Sequence, residues 1–250
     1  MAEGILSAIL TNGVVENTLD IIIGEKLASR GEYLATKYSV KITNGLDLVA
    51  KNCDFIFLAV RPQDVDAVAA EVRPLLTANH TLVSIVAGKT LNALKKSFGD
   101  EVRIVRVMPN LALRVGEGMC AVCGDGADDV VKILATAGQA IKLDEKDFDA
   151  VTALSGSGPA YFAYMAKAMA DAGVRLGLTP EAALLLSEQT MLGTAKFLRM
   201  SGADLDEFIA GVCTKGGTTA AGMEKLAPSD FREIISQTLS AAATRSKELA

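Results

Sequence analysis

Apolar residues in the first 144 positions are grouped in short runs that alternate with stretches of helical periodicity. The runs predict strands at 19–23, 40–42, 54–60, 81–87, 102–108, 119–122 and 140–143. Several runs, such as FIFLAV and TLVSIVA, are almost entirely apolar, which is typical of parallel strands buried on both faces. Helices are predicted between them at 25–38, 63–76, 90–98 and 127–136. This alternation predicts a doubly wound α/β sheet with right-handed crossovers, and the closeness of the last two strands favours an antiparallel edge.

The strand pattern ends near Asp144, and every later stretch predicts a helix. These helices are expected at 145–155, 159–176, 180–201, 204–213, 218–226 and 230–248. The helix at 180–201 is apolar on nearly every face, so we expect it to be buried in a subunit interface. The chain is therefore divided into an α/β domain over 1–144 and an all-helical domain over 145–250.

The opening stretch MAEGILSAIL predicts a helix that is packed on two sides, with Gly13 as its stop signal. A helix of this kind usually follows a strand and a tight turn, and here neither stands in front of it. The first helix therefore raises the question of how the sheet beside it is completed.

Composition narrows the classes of function. Hydrophobic residues make up 50% of the chain and charged residues 22%, with a formal charge of −5, which indicates a globular protein. The absence of a basic stripe argues against nucleic-acid binding. No apolar run of about 18 residues and no leader is found, so neither a membrane span nor a secretory signal is indicated, and we expect a cytoplasmic protein.

The cysteines and the single histidine offer little chemistry. Cys120 and Cys123 have the spacing of a metal or redox pair, but His80 is the only histidine, so we expect packing thiols and no metal site. For His80 a surface or capping role is favoured over catalysis.

Four strand ends contain candidate ligand-binding residues. In an open α/β sheet, ligands bind beyond the carboxyl ends of the strands. The segments expected there are 24–26, 59–62, 87–88 and 108–110. Small residues and prolines at these ends suggest a dinucleotide cleft, although the chain contains no G-x-G-x-x-G loop for a pyrophosphate.

Two glycine-bearing breaks stand out in the helical half. The first, SGSGP at 155–159, is either a kink between two packed helices or a ligand-lining turn, and both interpretations stay open. The second, KGGTT at 215–219, leads directly into a helix and combines free N–H groups with two hydroxyls. It predicts an anion cradle suited to a substrate carboxylate.

Several blocks resemble the pyrroline-5-carboxylate reductases in order and spacing: ALSGSGPAYF (153–162), ADAGVRLGL (170–178), QTMLGTAKFL (189–198), GGTTAAGMEKL (216–226), VRPQ, SIVAGKTL and RVMPN. The resemblance covers essentially the whole chain. It implies a Rossmann-like dinucleotide-binding domain followed by a helical substrate-binding and dimerisation domain. It also implies reduction of 1-pyrroline-5-carboxylate to L-proline by NADPH or NADH, in a homodimer that often assembles into decamers.

The resemblance also implies roles for individual residues. Thr219 would reach the ring nitrogen of the substrate as the catalytic residue, with Gly217 and Thr218 around the carboxylate and Glu145 near the substrate. The cofactor would be lined by Met1, Gly24, Lys26, Ala59, Val60, Arg61, Pro62, Ile85, Val86, Ala87, Gly88 and Asn110. Lys26 or Arg30 could reach a 2′-phosphate, which would favour NADPH, or both could be solvated helix residues.

The chain departs from the family pattern most strongly at its start. Family members begin with a strand and Gly-x-Gly-Asn-Met, and Met1 aligns with that final methionine, so we expect a truncated sequence or a repaired sheet. A non-catalytic relative that retains the helical dimer is the alternative. A hydroxyacid dehydrogenase is disfavoured, because Lys167 and Asp171 do not match the lysine and amide that those enzymes use.

Overall fold

The computed structural model describes residues 1–249, which form two compact units. The first unit comprises Met1–Ser157 together with the last residues from Ala242 onward, and the second comprises Gly158–Ala241. We describe each unit by itself. Within residues 1–249, no helix combines the length and the apolar character that crossing a bilayer requires.

The first unit alternates strands and helices, and each of the predicted strands is present. The strands are β1 (Ile22–Gly24), β2 (Lys41–Thr43), β3 (Phe55–Leu58), β4 (Thr81–Ser84), β5 (Arg103–Pro109), β6 (Gly118–Gly124) and β7 (Gly138–Lys142). The helices are α1 (Ala2–Thr11), α2 (Ala28–Tyr38), α3 (Leu46–Asn52), α4 (Val65–Val72), α5 (Leu91–Phe98), α6 (Ala127–Leu134) and α7 (Phe148–Val151). The short helix α3 was not predicted from the sequence.

The main sheet has the order β3-β4-β5-β6-β7, and its first three strands are parallel. The predicted antiparallel pairing of the last two strands is wrong, because β6 and β7 are parallel and α6 provides the crossover between them. The antiparallel pair is β5 with β6, which a short 3₁₀ turn at Leu111–Val115 connects. The doubly wound α/β class is confirmed, with the reversal one strand earlier than expected.

The sheet is interrupted between β1 and β3. Strands β1 and β2 form a separate parallel pair. The N–H of Lys41 donates to the Ile21 carbonyl and the N–H of Ile85 to the Leu58 carbonyl. Because backbone groups alternate between the two edges of a strand, those of Ile22 and Phe57 point away from their paired strands. A largely apolar cavity of about 1190 Å³ is lined by both β1 and β3 and by α1.

The core of the first unit lies on both faces of the main sheet. On one face, Val83 and Val105 pack with Ile5 and Ala8 of α1 and with the buried side of α6. On the other face, Leu82 and Ile104 pack with α4 and α5. The sheet is therefore covered on both faces, as expected for its almost continuously apolar strands.

A polar cluster fastens α1 to α2. The carboxylate of Glu3 accepts hydrogen bonds from Arg30 (2.6 Å), Lys37 (3.0 Å), Tyr38 (2.9 Å) and Tyr33 (3.1 Å). Hydrogen bonding, first from Arg30 and then from Lys37, lowers the pKa of Glu3 from 4.5 to about 2. The cluster is thus built for an ionised carboxylate.

We expect this cluster to make stability depend on acid pH. Because the folded-state pKa of Glu3 is depressed, its contribution is complete above pH 4.5 and is lost as pH falls toward 2. Glu3→Gln should lower the free energy of unfolding at neutral pH by about 1 kcal/mol, a value reduced for solvent screening of the exposed cations. Denaturant unfolding of both proteins across this pH range is the measurement. A difference that persists undiminished at pH 2 would contradict the assignment.

The second unit is entirely helical. It contains α8 (Gly158–Arg175), α9 (Pro180–Ser201), α10 (Leu205–Val212), α11 (Thr218–Leu226) and the first part of α12 (Phe231–Glu248). Helices α8 and α9 form a hairpin in which the buried Ser187 hydroxyl donates to the Ala166 carbonyl at 2.7 Å. Many large apolar side chains of these two helices are exposed in the single chain: Phe162, Tyr164, Met169, Leu184, Leu185, Leu186, Leu192 and Phe197.

Candidate functional site

The carboxyl ends of β3, β4 and β5 bring three predicted segments to one edge of the sheet. Strand β3 leads into Ala59–Pro62, β4 into Ile85–Gly88, and β5 ends at Pro109, directly before Asn110. Because these strands are parallel neighbours, their ends lie side by side. The structure therefore brings together the cofactor-side segments that the sequence predicted for this edge. Arg61 is exposed there and its Nε donates to Asp64 at 2.9 Å.

Gly88 requires the absence of a side chain. Its φ is +73°, in the left-handed region that residues with a Cβ rarely adopt. A Cβ at this position would lie 2.5 Å from the carbonyl oxygen of Leu249, which belongs to the same unit. The backbone of Gly88, which follows β4, therefore packs directly against the backbone of Leu249, and the position where a side chain would begin is already occupied.

Asn110 is held rigidly at the end of β5. Its Oδ1 accepts hydrogen bonds from the N–H of Ala112 (3.2 Å) and of Met119 (3.1 Å), and its Nδ2 donates to Ser155 Oγ at 3.4 Å. The side chain of Met108 lies against Gly156, where a Cβ would collide with it. The amide of Asn110 is thus fixed between the turn after β5 and the glycine-bearing break that begins at Ser155.

That break is a π-helical turn at Thr152–Gly156, after which α8 begins at Gly158. The predicted interruption is therefore present, and π turns often occur at functional sites. The contact between Ser155 and Asn110 places this break beside the end of β5, and it is compatible with both a kink and a ligand-lining turn.

Glu145 forms hydrogen bonds with two other residues of the first unit. One of its oxygens, Oε1, accepts from Arg106 Nη1 at 2.9 Å and from the N–H of Leu91 at 2.6 Å. Arg106 is on β5 and Leu91 is the first residue of α5. The predicted contact of Glu145 with substrate stays a prediction, and the structure adds two protein partners that the sequence did not reveal.

The end of β1 contains the residues that were predicted near the adenosine. A Cβ on Gly24 would lie 2.6 Å from Leu46 Cδ2, so this strand end packs closely on α3. Arg30 is bound to Glu3 and is therefore committed to the polar cluster. Lys26 is exposed and has no ion-pair partner in the described part of the chain. Of the two candidates for a 2′-phosphate contact, Lys26 is the one that has no ion-pair partner among residues 1–249.

Met1 stands at the amino end of α1, as its N-cap. Burial, together with the nearby positive charge of Arg114, lowers the pKa of its amino group. The helix dipole adds partial positive charge at the same place. The helix dipole and the neighbouring charge of Arg114, and not the amino group itself, make this end of α1 electrostatically suited to an anionic group.

In the second unit, KGGTT forms a tight turn into α11. Gly216 has a φ of +76°, and Gly217 is the N-cap of the helix. A Cβ on Gly217 would lie 2.5 Å from Thr214 Oγ1, so the turn needs glycine here as well. Thr218 and Thr219 are exposed, and they open the helix.

The electrostatics of this turn favour an anion. The first N–H groups of a helix have no intrahelical acceptors and lie at the positive end of its dipole. Lys215 is exposed beside them and has no ion-pair partner among residues 1–249. The hydroxyls of Thr218 and Thr219 therefore lie beside first-turn N–H groups without intrahelical acceptors, whereas the N–H of Gly217 is bonded to the Thr214 carbonyl.

The remaining candidate residues are structural. Cys120 and Cys123 pack into different core clusters on opposite faces of β6, and burial raises their pKa to about 12 and about 11 respectively. His80 Nδ1 accepts from the N–H of Thr77, and its Nε2 donates to the Ala50 carbonyl at 2.8 Å, which confirms a capping role. Lys167 forms an exposed ion pair with Asp171, four residues further along α8.

Two known family models match this chain, one in each part. A family model for pyrroline-5-carboxylate reductase dimerisation matches residues 145–249, and a model for NADP oxidoreductase, coenzyme F420-dependent, matches residues 1–88. The pyrroline-5-carboxylate reductase of Mycobacterium leprae is 35% identical, over all of this chain and 93% of the relative. The one of Arabidopsis thaliana is 37% identical, over all of this chain and 92% of the relative.

Solved structures give the same result. A pyrroline-5-carboxylate reductase from Coxiella burnetii superposes with a TM-score of 0.94 at 30% identity, covering all of this chain and 94% of the other. A pyrroline carboxylate reductase from Plasmodium falciparum with NADP bound superposes with a TM-score of 0.83 at 27% identity, covering 99% and 93% of the two chains. The likeness therefore extends through both units.

Proposed function

The chain belongs to the pyrroline-5-carboxylate reductase family, and on that premise we propose how its residues reduce pyrroline-5-carboxylate to proline. The domains are proposed at residues 1–144 for the nucleotide and 145–250 for the substrate and for dimerisation. The observation that carries the proposal is the G-G-T-T turn, whose free N–H groups and hydroxyls lie together at the amino end of α11.

The turn into α11 is proposed to bind the substrate carboxylate. The N–H of Gly217 donates to the Thr214 carbonyl at 2.9 Å, so the N–H groups proposed for the carboxylate are those of Thr218 and Thr219, at the positive end of the helix dipole. Thr219 is proposed to hold the ring nitrogen through its hydroxyl. A carboxylate and a nitrogen fixed at two points leave the ring with one orientation, so much of the rate comes from positioning.

The chemistry is consistent with the residues that are present. Protonation of the imine nitrogen gives an iminium, whose carbon accepts a hydride without help from a strong side-chain acid. NADPH, when bound, would supply that hydride, which is one hydrogen together with two electrons. The task of the chain is to bind, orient and shield, which explains why a single histidine in a capping role is no obstacle.

The first unit has features that fit a nicotinamide dinucleotide. Gly88 supplies a stretch of backbone without a side chain just after β4, and Asn110 has a hydrogen-bonded amide at the neighbouring strand end. The segments 59–62 and 85–88 are proposed to line the nucleotide, with Met1 toward the pyrophosphate. Exposed Lys26, beside Gly24, supports NADPH over NADH, because a lysine can bind the additional 2′-phosphate.

An activity assay tests the proposal. Purified protein with pyrroline-5-carboxylate should oxidise NADPH, at a higher kcat/KM than NADH, and release proline. Well-folded protein that binds substrate but oxidises neither nucleotide would instead support a non-catalytic scaffold, which the full-length relatives do not favour.

The dimerisation domain indicates self-association, and we propose a homodimer through the helical unit. Leu185 on α9 is 66% exposed in the single chain, so we expect Leu185→Glu to give a monomer by light scattering at micromolar concentration. Leu48→Glu, at an exposed leucine of α3, is the matched control and should remain dimeric. A monomeric mass for the unmodified chain would contradict the proposal. Further assembly into a homodecamer and a cytoplasmic location complete it.

A further inference from the structure

Arg106 is an unusual residue for the interior of a sheet. It lies on β5 between Val105 and Val107, and its side chain is only 8% exposed. Its guanidinium is 4.8 Å from the centre of the Phe148 ring and 2.9 Å from Glu145. Burial of a charge is costly unless partners surround it. The presence of a buried arginine at this position therefore indicates a role that depends on its charge and that an apolar residue could not fill.

The partner of Arg106 connects it to the segment after β4. Glu145 Oε1 also accepts from the N–H of Leu91, the first residue of α5, at 2.6 Å. The preceding residue, Thr90, caps the same helix by accepting from the N–H of Ala93 at 3.1 Å. The segment 85–89 is therefore fixed at one end by β4 and at the other by a helix start that Glu145 holds.

We propose that Arg106 is a positioning residue for the nucleotide: it holds the carboxylate of Glu145 against the amino end of α5 and thereby fixes the Ile85–Gly88 segment. The inference rests on the proposed function, because it takes that segment as the lining of the cofactor. It assigns Glu145 to the support of the nucleotide site, and so differs from the substrate contact that the family resemblance implies.

Loss of the guanidinium has a defined consequence. The side chain of Glu145 is 31% exposed, so its carboxylate can turn toward water when Arg106 no longer holds it. The N–H of Leu91 then lacks its acceptor and the helix start is released. A displacement of about 1 Å in a positioning segment can lower the rate as much as 100-fold. We therefore expect weaker binding of NADPH. The binding of pyrroline-5-carboxylate should not change, because the G-G-T-T turn lies in the other unit.

The test compares Arg106→Met, Arg106→Lys and Glu145→Gln with a matched control. Lys132→Met removes the cation of an exposed ion pair with Asp129 on α6 and should leave the kinetics unchanged. For Arg106→Met we expect the KM and the Kd for NADPH to rise about tenfold, with the KM for pyrroline-5-carboxylate unchanged. Arg106→Lys, which keeps the positive charge, should recover part of the loss. Glu145→Gln keeps an acceptor for the Leu91 N–H and loses the ion pair with Arg106, so its effect should have the same direction and be smaller than that of Arg106→Met.

Hydrogen exchange supplies a measurement that does not depend on turnover. The amide of Leu91 should exchange faster in Arg106→Met than in the unmodified chain and in Lys132→Met. A rise confined to the KM for pyrroline-5-carboxylate would overturn the inference, as would a lower unfolding temperature with unchanged kinetics and exchange. If the unmodified chain oxidises no NADPH, the proposed function fails, and the NADPH titration with the exchange data still decides the role of Arg106.

Discussion

Replacement of Thr219 by alanine is expected to lower kcat/KM for pyrroline-5-carboxylate about 100-fold, the effect of removing one well-placed hydroxyl that holds the reacting group. Thr219 is the second residue of α11 and is exposed at the cradle, so its hydroxyl is available to a ligand. The Kd for NADPH should not change, because the proposed nucleotide segments belong to the other unit. Steady-state kinetics with each substrate varied in turn, together with an NADPH titration, would measure both.

Two further variants make this result interpretable. Thr219→Ser keeps the hydroxyl and should retain most of the activity. Thr238→Ala removes a hydroxyl that donates to the Ile234 carbonyl at 2.8 Å within α12, and it should leave kcat/KM near that of the unmodified chain. Equal losses in Thr219→Ala and Thr219→Ser would show that the hydroxyl is not the important group.

Gly88→Ala is expected to weaken NADPH binding about 30-fold, equivalent to about 2 kcal/mol. The alanine would have to adopt a φ of +73° and place its Cβ 2.5 Å from the Leu249 carbonyl oxygen. Relief of that collision requires either Leu249 or the segment after β4 to move. A movement of the segment would displace the backbone that is proposed to contact the nucleotide. Fluorescence titration with NADPH is the direct measurement.

Gly99→Ala is the matched control for the backbone conformation. Gly99 also has a positive φ, +96°, but the nearest atom to its Cβ position is in the flexible Arg73 side chain at 3.5 Å. Both variants should lose about 1 kcal/mol of stability from strain. Only Gly88→Ala should lose NADPH affinity, and similar affinities for the two variants would rule out the proposed role of the segment.

The central strands could be predicted from sequence because their apolar runs are buried on both faces of the sheet. A run such as TLVSIVA lacks the alternation of apolar and polar residues that is typical of a half-exposed strand, and β4 is indeed buried throughout. The helix α3 could not be predicted, since it has only seven residues and lacks a side-chain cap at its start. The direction of β7 was misjudged because the short separation of the last two strands in sequence was given more weight than the helix predicted between them, and that helix is long enough for a parallel crossover.

The site could be predicted where a local pattern carries the chemistry. The G-G-T-T turn is such a pattern, because its glycines and threonines act through the backbone that they themselves form. The roles of Arg106 and Arg30 could not be predicted, because their partners Glu145 and Glu3 are 39 and 27 positions away. Only the fold brings these charges together, and nothing in the neighbouring residues indicates it.

The interruption between β1 and β3 has a consequence for the behaviour of the protein in solution. Native proteins protect open strand edges with charges, prolines or bulges, because an open edge is a template for pairing with another chain. Here the edge of β3 presents Phe55, Ile56 and Phe57, and Phe55 is 38% exposed. An extended apolar segment from a neighbouring molecule would find unpaired backbone groups at the edge of β3. We therefore expect that, at high protein concentration, molecules aggregate through the open edge of β3.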